Sequence, residues 1–139
     1  MLKGISTLIS PELLKAIAEM GHGDEIVIGD ANFPAKSINP NNIRADGHGA
    51  VELLDAILAL FPLDTFVEAP VTLMDVPKGQ EKPAIWEQFR KTIDKHQKNV
   101  KCQCVERFKF YDLSRKAYAA VSTGETALYA CIILKKGVI

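Results

Sequence analysis

Residues 25–34 read EIVIGDANFP. The first half, Glu25 to Gly29, is a short run of β-branched residues, which is typical of a strand buried on both faces of a parallel sheet. The second half, Asp30 to Pro34, has the composition of a loop. Because ligands of open parallel sheets bind beyond the carboxyl ends of the strands, Asp30 is a candidate binding residue. An aspartate that forms a turn by bonding its own backbone explains the same position.

Helical and β-branched segments alternate along the rest of the chain. Apolar residues at helical spacing predict a first helix that is capped by Ser10, begins at Pro11 and ends at Gly21. Further helices are predicted from residue 46 or 47 to 61 and from 83 to 93, with a short helix or turn over 108–116. Strands are predicted over 66–76 (interrupted or at an edge because of Pro70), 100–105, 117–121 and 132–134, with a turn at 122–125. The alternation predicts one α/β domain over residues 1–139, with a mainly parallel sheet flanked by helices.

Composition and charge exclude several classes of protein. The chain has 139 residues, 47% hydrophobic and 24% charged, which suits one domain with a single core. Its 17 basic and 17 acidic side chains cancel, which argues against a nucleic-acid or polybasic membrane-surface partner. The longest apolar run, Ala56 to Pro62, is far shorter than the roughly 18 residues of a membrane span, and the first residues lack a signal-peptide core. We therefore expect a cytoplasmic protein without nucleic-acid or membrane partners.

The most distinctive polar cluster is Gly21-His22-Gly23-Asp24, just before the first strand. A histidine between two glycines lies on flexible backbone, and histidine titrates near enough to neutral pH to shuttle protons. A solvated loop histidine is the alternative interpretation. His22 and Asp30 flank the same strand, and eight extended residues span about 25 Å. They can share a site only if their loops curl back or if a neighbouring subunit contributes one of them.

Other candidate residues carry weaker signals. Arg107 follows a predicted strand and could bond hydroxyls or a carboxylate, although a surface ion pair is the commoner role. Tyr129 precedes the last strand and could offer a hydroxyl and an aromatic face, or simply pack in the core. Cys102 and Cys104 lie on the same face of one predicted strand. They are expected to be buried apolar residues, not metal ligands. With only three cysteines and no CxxC spacing, the sequence indicates neither a disulfide framework nor a metal site.

Motifs along nearly the whole chain resemble those of the RbsD/FucU sugar mutarotase family. They are 8–14 (LISPELL), 20–26 (MGHGDEI), 30–34 (DANFP), 43–47 (IRADG), 107–111 (RFKFY), 123–125 (TGE) and 129–138 (YACIILKKGV). Each motif is weak alone, but together they occur in the family's order and at its spacing. The resemblance implies an enzyme that interconverts ring forms of a free reducing sugar without a metal or organic cofactor.

The resemblance also implies roles for individual residues. The family's proton donor falls on His22, and its substrate-binding aspartate falls on Asp30. The position that is histidine in the ribose pyranase branch and arginine in the fucose mutarotase branch is Arg107 here, which favours L-fucose as substrate. The remaining substrate contacts fall on three consecutive residues: Tyr129, Ala130 and Cys131.

Two positions depart from the family's pattern. Cys131 stands where the family usually has asparagine, so only a backbone contact of residue 131 carries over, and Asn32 stands where relatives of the fucose branch tend to have histidine. The family assembles into rings, typically decamers of two pentamers, which implies a homo-oligomer here and agrees with the separation of His22 and Asp30. The alternatives are a D-ribose pyranase, which Arg107 disfavours, and a non-catalytic sugar-binding protein, which Cys131 favours.

Overall fold

A computed structural model describes all residues, 1–139, as five helices and six strands. In chain order these are α1 (Pro11–Glu19), β1 (Glu25–Gly29), α2 (Ala35–Ile38), β2 (Asn42–Ala45), α3 (Ala50–Leu58), β3 (Val71–Met74), α4 (Ile85–His96), β4 (Cys102–Val105), α5 (Arg107–Lys116), β5 (Ala119–Thr123) and β6 (Ile132–Lys135). None of the helices is long and apolar enough to cross a membrane.

The six strands form one sheet in the order β2-β5-β1-β6-β3-β4. Neighbours run parallel except at β6, which is antiparallel to both β1 and β3. The sheet is therefore mixed: five of its six strands run in one direction, in agreement with the predicted mainly parallel sheet, and only β6 runs in the other. The connection from β5 to β6, residues 124–131, holds no crossover helix, and a parallel return would need a dozen or more residues. Consequently β6 begins at the edge where the other five strands end, which we call the carboxyl edge; the opposite one is the amino edge.

The core lies on both faces of this sheet. Alternation along β1 sends Ile26 and Ile28 to one face and Val27 to the other. On the first face, α1, α3 and α4 bury a cluster of 27 residues, and on the second, α2 and α5 cover a cluster of nine that includes Phe33 and Phe110. The strand is buried on both sides, as its β-branched run predicted.

Capping explains where the predicted helices begin. The Ser10 hydroxyl accepts from the Leu13 N–H at 3.1 Å and Pro11 opens α1, as predicted. The next predicted helix, α3, begins at Ala50 and not at residue 46 or 47. The helix begins later because residues 42–45 form β2, which pairs with β5, and the chain then turns through Gly47. The Glu52 carboxylate caps the new start by accepting from the Gly49 N–H at 2.8 Å.

Three further predictions are corrected. Residues 122 and 123 belong to β5 and not to a turn, because Ser122 pairs with β1 and β2 and Thr123 pairs with Ala45 of β2. The Thr123 hydroxyl also donates to the Gly29 carbonyl at 2.7 Å. The extended segment at 66–76 forms a strand only from Val71, after Pro70. Neither Cys102 nor Cys104 is buried as predicted: Cys104 is exposed and Cys102 is partly exposed, on an edge strand that pairs only with β3.

Candidate active site

Asp30 lies at the carboxyl edge, directly after β1, and is 7% exposed. Its Oδ1 accepts from the Asn32 N–H at 2.9 Å, so the aspartate forms the turn that its composition suggested. Its Oδ2 accepts from the Cys131 thiol, with 3.4 Å between sulfur and oxygen. The carboxylate is therefore oriented by one donor on each oxygen, at the edge where ligands of α/β sheets bind.

Cys131 is a buried hydrogen-bond donor to this carboxylate. The residue is 1% exposed and lies directly before β6. Burial, followed by the nearby charge of Asp30, raises the pKa of the thiol well above its usual value. The group thus stays protonated at neutral pH and keeps its S–H for Asp30.

Gly29 allows the turn that carries Asp30. A Cβ on residue 29 would lie 2.4 Å from Cδ1 and 2.7 Å from Cβ of Phe33, which is held in the core. We expect Gly29→Ala to lower the free energy of unfolding by about 1–3 kcal/mol, because the backbone must move to relieve the overlap. Gly47→Ala is the matched control, since nothing lies within 4 Å of its added methyl group. Urea unfolding of both variants tests this, and equal stability would contradict it.

Arg107 and Tyr129 line one cavity beside Asp30's edge of the sheet. The cavity has a volume of about 490 Å³ and also includes Asp75 and Glu106, which follow the carboxyl ends of β3 and β4. Arg107 is exposed, and its guanidinium lies 4.7 Å from the centroid of the Phe108 ring. Lys78 borders the same cavity. Two cations, two carboxylates and a phenol around one opening suit a ligand rich in hydroxyl groups.

Tyr129 adopts a left-handed backbone conformation, with φ at 58°. Such a conformation is unfavourable for a residue other than glycine unless its surroundings hold it. Here the indole N–H of Trp86 donates to the Tyr129 carbonyl at 3.1 Å. Tyr129 also borders a second cavity of about 520 Å³, on the side of Gln80 and Gln88. The residue therefore separates two openings at the carboxyl edge.

His22 lies at the amino edge, at the opposite end of β1. Its Nε2 is 3.1 Å from Oδ1 of Asp64, and its ring centroid is 5.3 Å from that of Phe66. The imidazole is 46% exposed, whereas the Asp64 side chain is 3% exposed. The first residues of the motif are fixed as well, because the Gly21 N–H donates to Asp24 at 2.7 Å and the Gly23 N–H donates to the Lys136 carbonyl at 2.8 Å.

The structure thus divides the predicted site residues into two groups. Asp30, Arg107, Ala130, Cys131 and Tyr129 lie along the carboxyl edge, and His22 lies at the amino edge. Within one subunit the loops do not curl back to join them. Sequence analysis did not find Asp64 and Phe66, which lie in a loop more than 40 residues from His22. Nowhere do three or more histidine, cysteine, aspartate or glutamate side chains meet in a group that could hold a metal ion.

Comparison with known proteins identifies the class. The chain belongs to the RbsD / FucU transport protein family, which it matches over residues 3–139. It is 54% identical to L-fucose mutarotase of Actinobacillus pleuropneumoniae serotype 5b, over 99% of this chain and 97% of that protein. It is 49% identical to fucose mutarotase of Homo sapiens, over 99% and 94% of the two chains. The crystal structure of the fucose mutarotase of Streptococcus pneumoniae in complex with L-fucose matches it with a TM-score of 0.96 and 51% identity, over 99% of both chains. The family predicted from the sequence motifs is confirmed.

Proposed function

We propose that this protein is an L-fucose mutarotase, an isomerase that interconverts the α and β anomers of the free sugar. The observation that carries the proposal is the near-complete structural match, at 51% identity, to a fucose mutarotase solved with L-fucose. Arg107 supports the fucose branch over the ribose branch. The chemistry at the carboxyl edge agrees, since Asp30, Arg107 and Tyr129 offer the charged and aromatic groups that bind sugar hydroxyls and C–H faces.

The reaction needs proton transfer and little else. Anomer exchange opens the hemiacetal: the C1–O5 bond breaks, O5 gains a proton, and the hydroxyl on C1 loses one to water. After the aldehyde rotates, O5 attacks its other face and gives up its proton, while the carbonyl oxygen on C1 takes a proton back from water, so no net proton is consumed. In this mechanism His22 supplies the proton to O5, Asp30 and Arg107 hold sugar hydroxyls, and Tyr129 orients the ring. Ala130 and Cys131 contribute through the backbone, with the Cys131 thiol orienting Asp30.

The site is completed between subunits of a homo-oligomer, for which we propose the family's ring-shaped decamer in the cytoplasm. His22 and Asp30 lie at opposite edges of one sheet, so their meeting requires the amino edge of one subunit to face the carboxyl edge of the next. Such a head-to-tail contact generates a closed ring when the rotation from one subunit to the next closes. We call the residues around His22 and those around Asp30 the two half-sites. Exposed apolar side chains at both half-sites would be buried by such a contact: Phe66 beside His22, and Phe108 and Leu128 at the carboxyl edge.

Exchange between the anomeric proton signals of L-fucose, measured by NMR magnetisation transfer, tests the function. We expect the wild-type protein to accelerate α–β exchange of L-fucose far more than pyranose–furanose exchange of D-ribose. Acceleration of ribose alone would assign the protein to the ribose branch. Binding of fucose without acceleration would make it a non-catalytic sugar-binding protein.

A further inference from the structure

We propose that Cys102 and Cys104 form a binding site for one soft, monovalent metal ion, copper(I), which lies between the two sulfurs. Both residues are free cysteines, and both line one cavity of about 470 Å³ between β4 and α4. None of the candidate active-site residues lines this cavity, so the proposal does not depend on the proposed function. Thiolates are the soft ligands that copper(I) prefers in proteins.

The spacing of the two thiols excludes a disulfide between them. The strand β4 is regular here, because Cys102 pairs with Val71 and Cys104 with Leu73 of β3. Residues two apart on a strand point to the same face, and two rises separate them by about 6.6 Å. A disulfide needs Cβ atoms about 3.5–4.5 Å apart. The strand would have to break before this pair could oxidise to a disulfide.

The same spacing fits one ion between the sulfurs. A metal–sulfur bond is about 2.3 Å long for zinc, and two such bonds on opposite sides of an ion place the sulfurs about 4.6 Å apart. Rotation about the two Cα–Cβ bonds closes the remaining gap of about 2 Å. Zinc itself needs four ligands, and no third histidine, cysteine, aspartate or glutamate joins the pair in a group that could hold a metal. Copper(I) binds two thiolates in a line and does not need the missing ligands.

The walls of the cavity suit such an ion because they are largely apolar. Cys102 packs against the core cluster of the first sheet face, and the apolar side chains of Leu73, Phe89 and Ile93 line the same cavity. An apolar shell limits the access of water to a metal site. Cys104 is exposed, so an ion can enter from solvent at the free edge of β4.

Two cations stand beside the thiols. Burial raises the pKa of both thiols; the charge of Arg90 opposes this at Cys102, whereas at Cys104 the charge of Asp75 adds to it and that of Lys82 opposes it. Each thiol therefore carries its proton at neutral pH and releases it to water when the sulfur bonds the metal, since a coordinating thiol is deprotonated outright. The copper stays monovalent throughout. Two thiolates and one monovalent ion carry one net negative charge, which Arg90 and Lys82 help to balance.

Titration with silver(I) nitrate in a chloride-free buffer tests the site, because silver(I) has the same ligand preference and undergoes no redox step. The only tryptophan of the chain, Trp86, lines the same cavity, so its fluorescence should change on binding. We expect calorimetry to find one ion per chain. In Cys102→Ser and in Cys104→Ser the affinity should fall by more than about 100-fold, since loss of an outer-shell group alone costs roughly 10–100-fold.

Gln103→Ser is the matched control. Gln103 lies between the two cysteines but points to the opposite face, where its amide donates to the Thr72 hydroxyl at 3.0 Å. This variant should keep the wild-type affinity for silver(I). Because Cys104 is exposed, Cys104→Ser should fold even if Cys102→Ser does not, and circular dichroism checks both.

Copper(I), supplied without oxygen, should displace silver(I) at the same stoichiometry, and zinc(II) should bind far more weakly than either. Failure of silver(I) to bind, or of copper(I) to displace it, would overturn the proposal. Unchanged affinity in both serine variants would assign binding to the third cysteine, Cys131, and would also overturn it. Two ions per chain would mean that the thiols bind separately, and zinc(II) of equal affinity would mean that the site offers four ligands; either result contradicts a two-sulfur site.

Discussion

Replacement of His22 by alanine is expected to slow the exchange of L-fucose anomers by about 10²–10⁴-fold, the usual contribution of a positioned acid–base group. The imidazole is half-exposed and lies against Phe66 and Asp64. Its removal should therefore leave the fold intact, and KM should change little because Asp30 and Arg107 hold the sugar hydroxyls. Rates come from NMR magnetisation transfer over a range of fucose concentrations.

His96→Gln provides the control for this variant. His96 also pairs with a carboxylate, Asp55, but it lies at the end of α4 and contacts neither half-site. The control should retain the wild-type rate, and circular dichroism should show both variants folded. A wild-type rate in His22→Ala would remove His22 from the mechanism.

Much of the fold could be predicted where local sequence and tertiary environment agree. The β-branched run at 25–29 became β1 with those bounds, and Ser10 with Pro11 marked the beginning of α1. By contrast, β2 was not predicted because it lacks an apolar alternation. Its pairing is supported instead by the Asn42 amide, which donates to the Ala120 carbonyl at 2.9 Å. A contact across 78 residues leaves no signal in either segment.

The candidate site shows the same limit. Asp30 could be named as a candidate because it directly follows a buried strand. The length of that strand also predicted that His22 and Asp30 can meet only if their loops curl back or if a neighbouring subunit contributes one of them. Asp64 could not be identified, since nothing near Pro62 signals a partner 42 residues away. The direction of β6 also escaped prediction: the short connection after β5 reverses the chain, and that reversal places Cys131 against Asp30.

Mixing two variants that are each impaired at one edge of the sheet should restore activity. We expect this because the site residues are divided between the amino edge and the carboxyl edge. His22→Ala lacks the proton donor at the amino edge. Asp30→Asn lacks the charged acceptor at the carboxyl edge, and a charge-assisted hydrogen bond contributes about 1.5–3 kcal/mol, so its loss should weaken productive binding about 10- to 150-fold. If each site draws His22 from one subunit and Asp30 from the next, a mixed ring contains some sites with both intact halves.

The expected size of the effect follows from head-to-tail contact. In rings coexpressed from equal amounts of the two chains, each half is intact with a probability of one half, so about a quarter of the sites regain wild-type composition. Purification with two different affinity tags selects the mixed rings. Coexpression of His22→Ala with Asp64→Ala is the control, because both changes damage the same half-site and no combination repairs it. Restoration only in the first mixture would place the site between subunits, whereas an inactive first mixture would mean that His22 and Asp30 act within one chain.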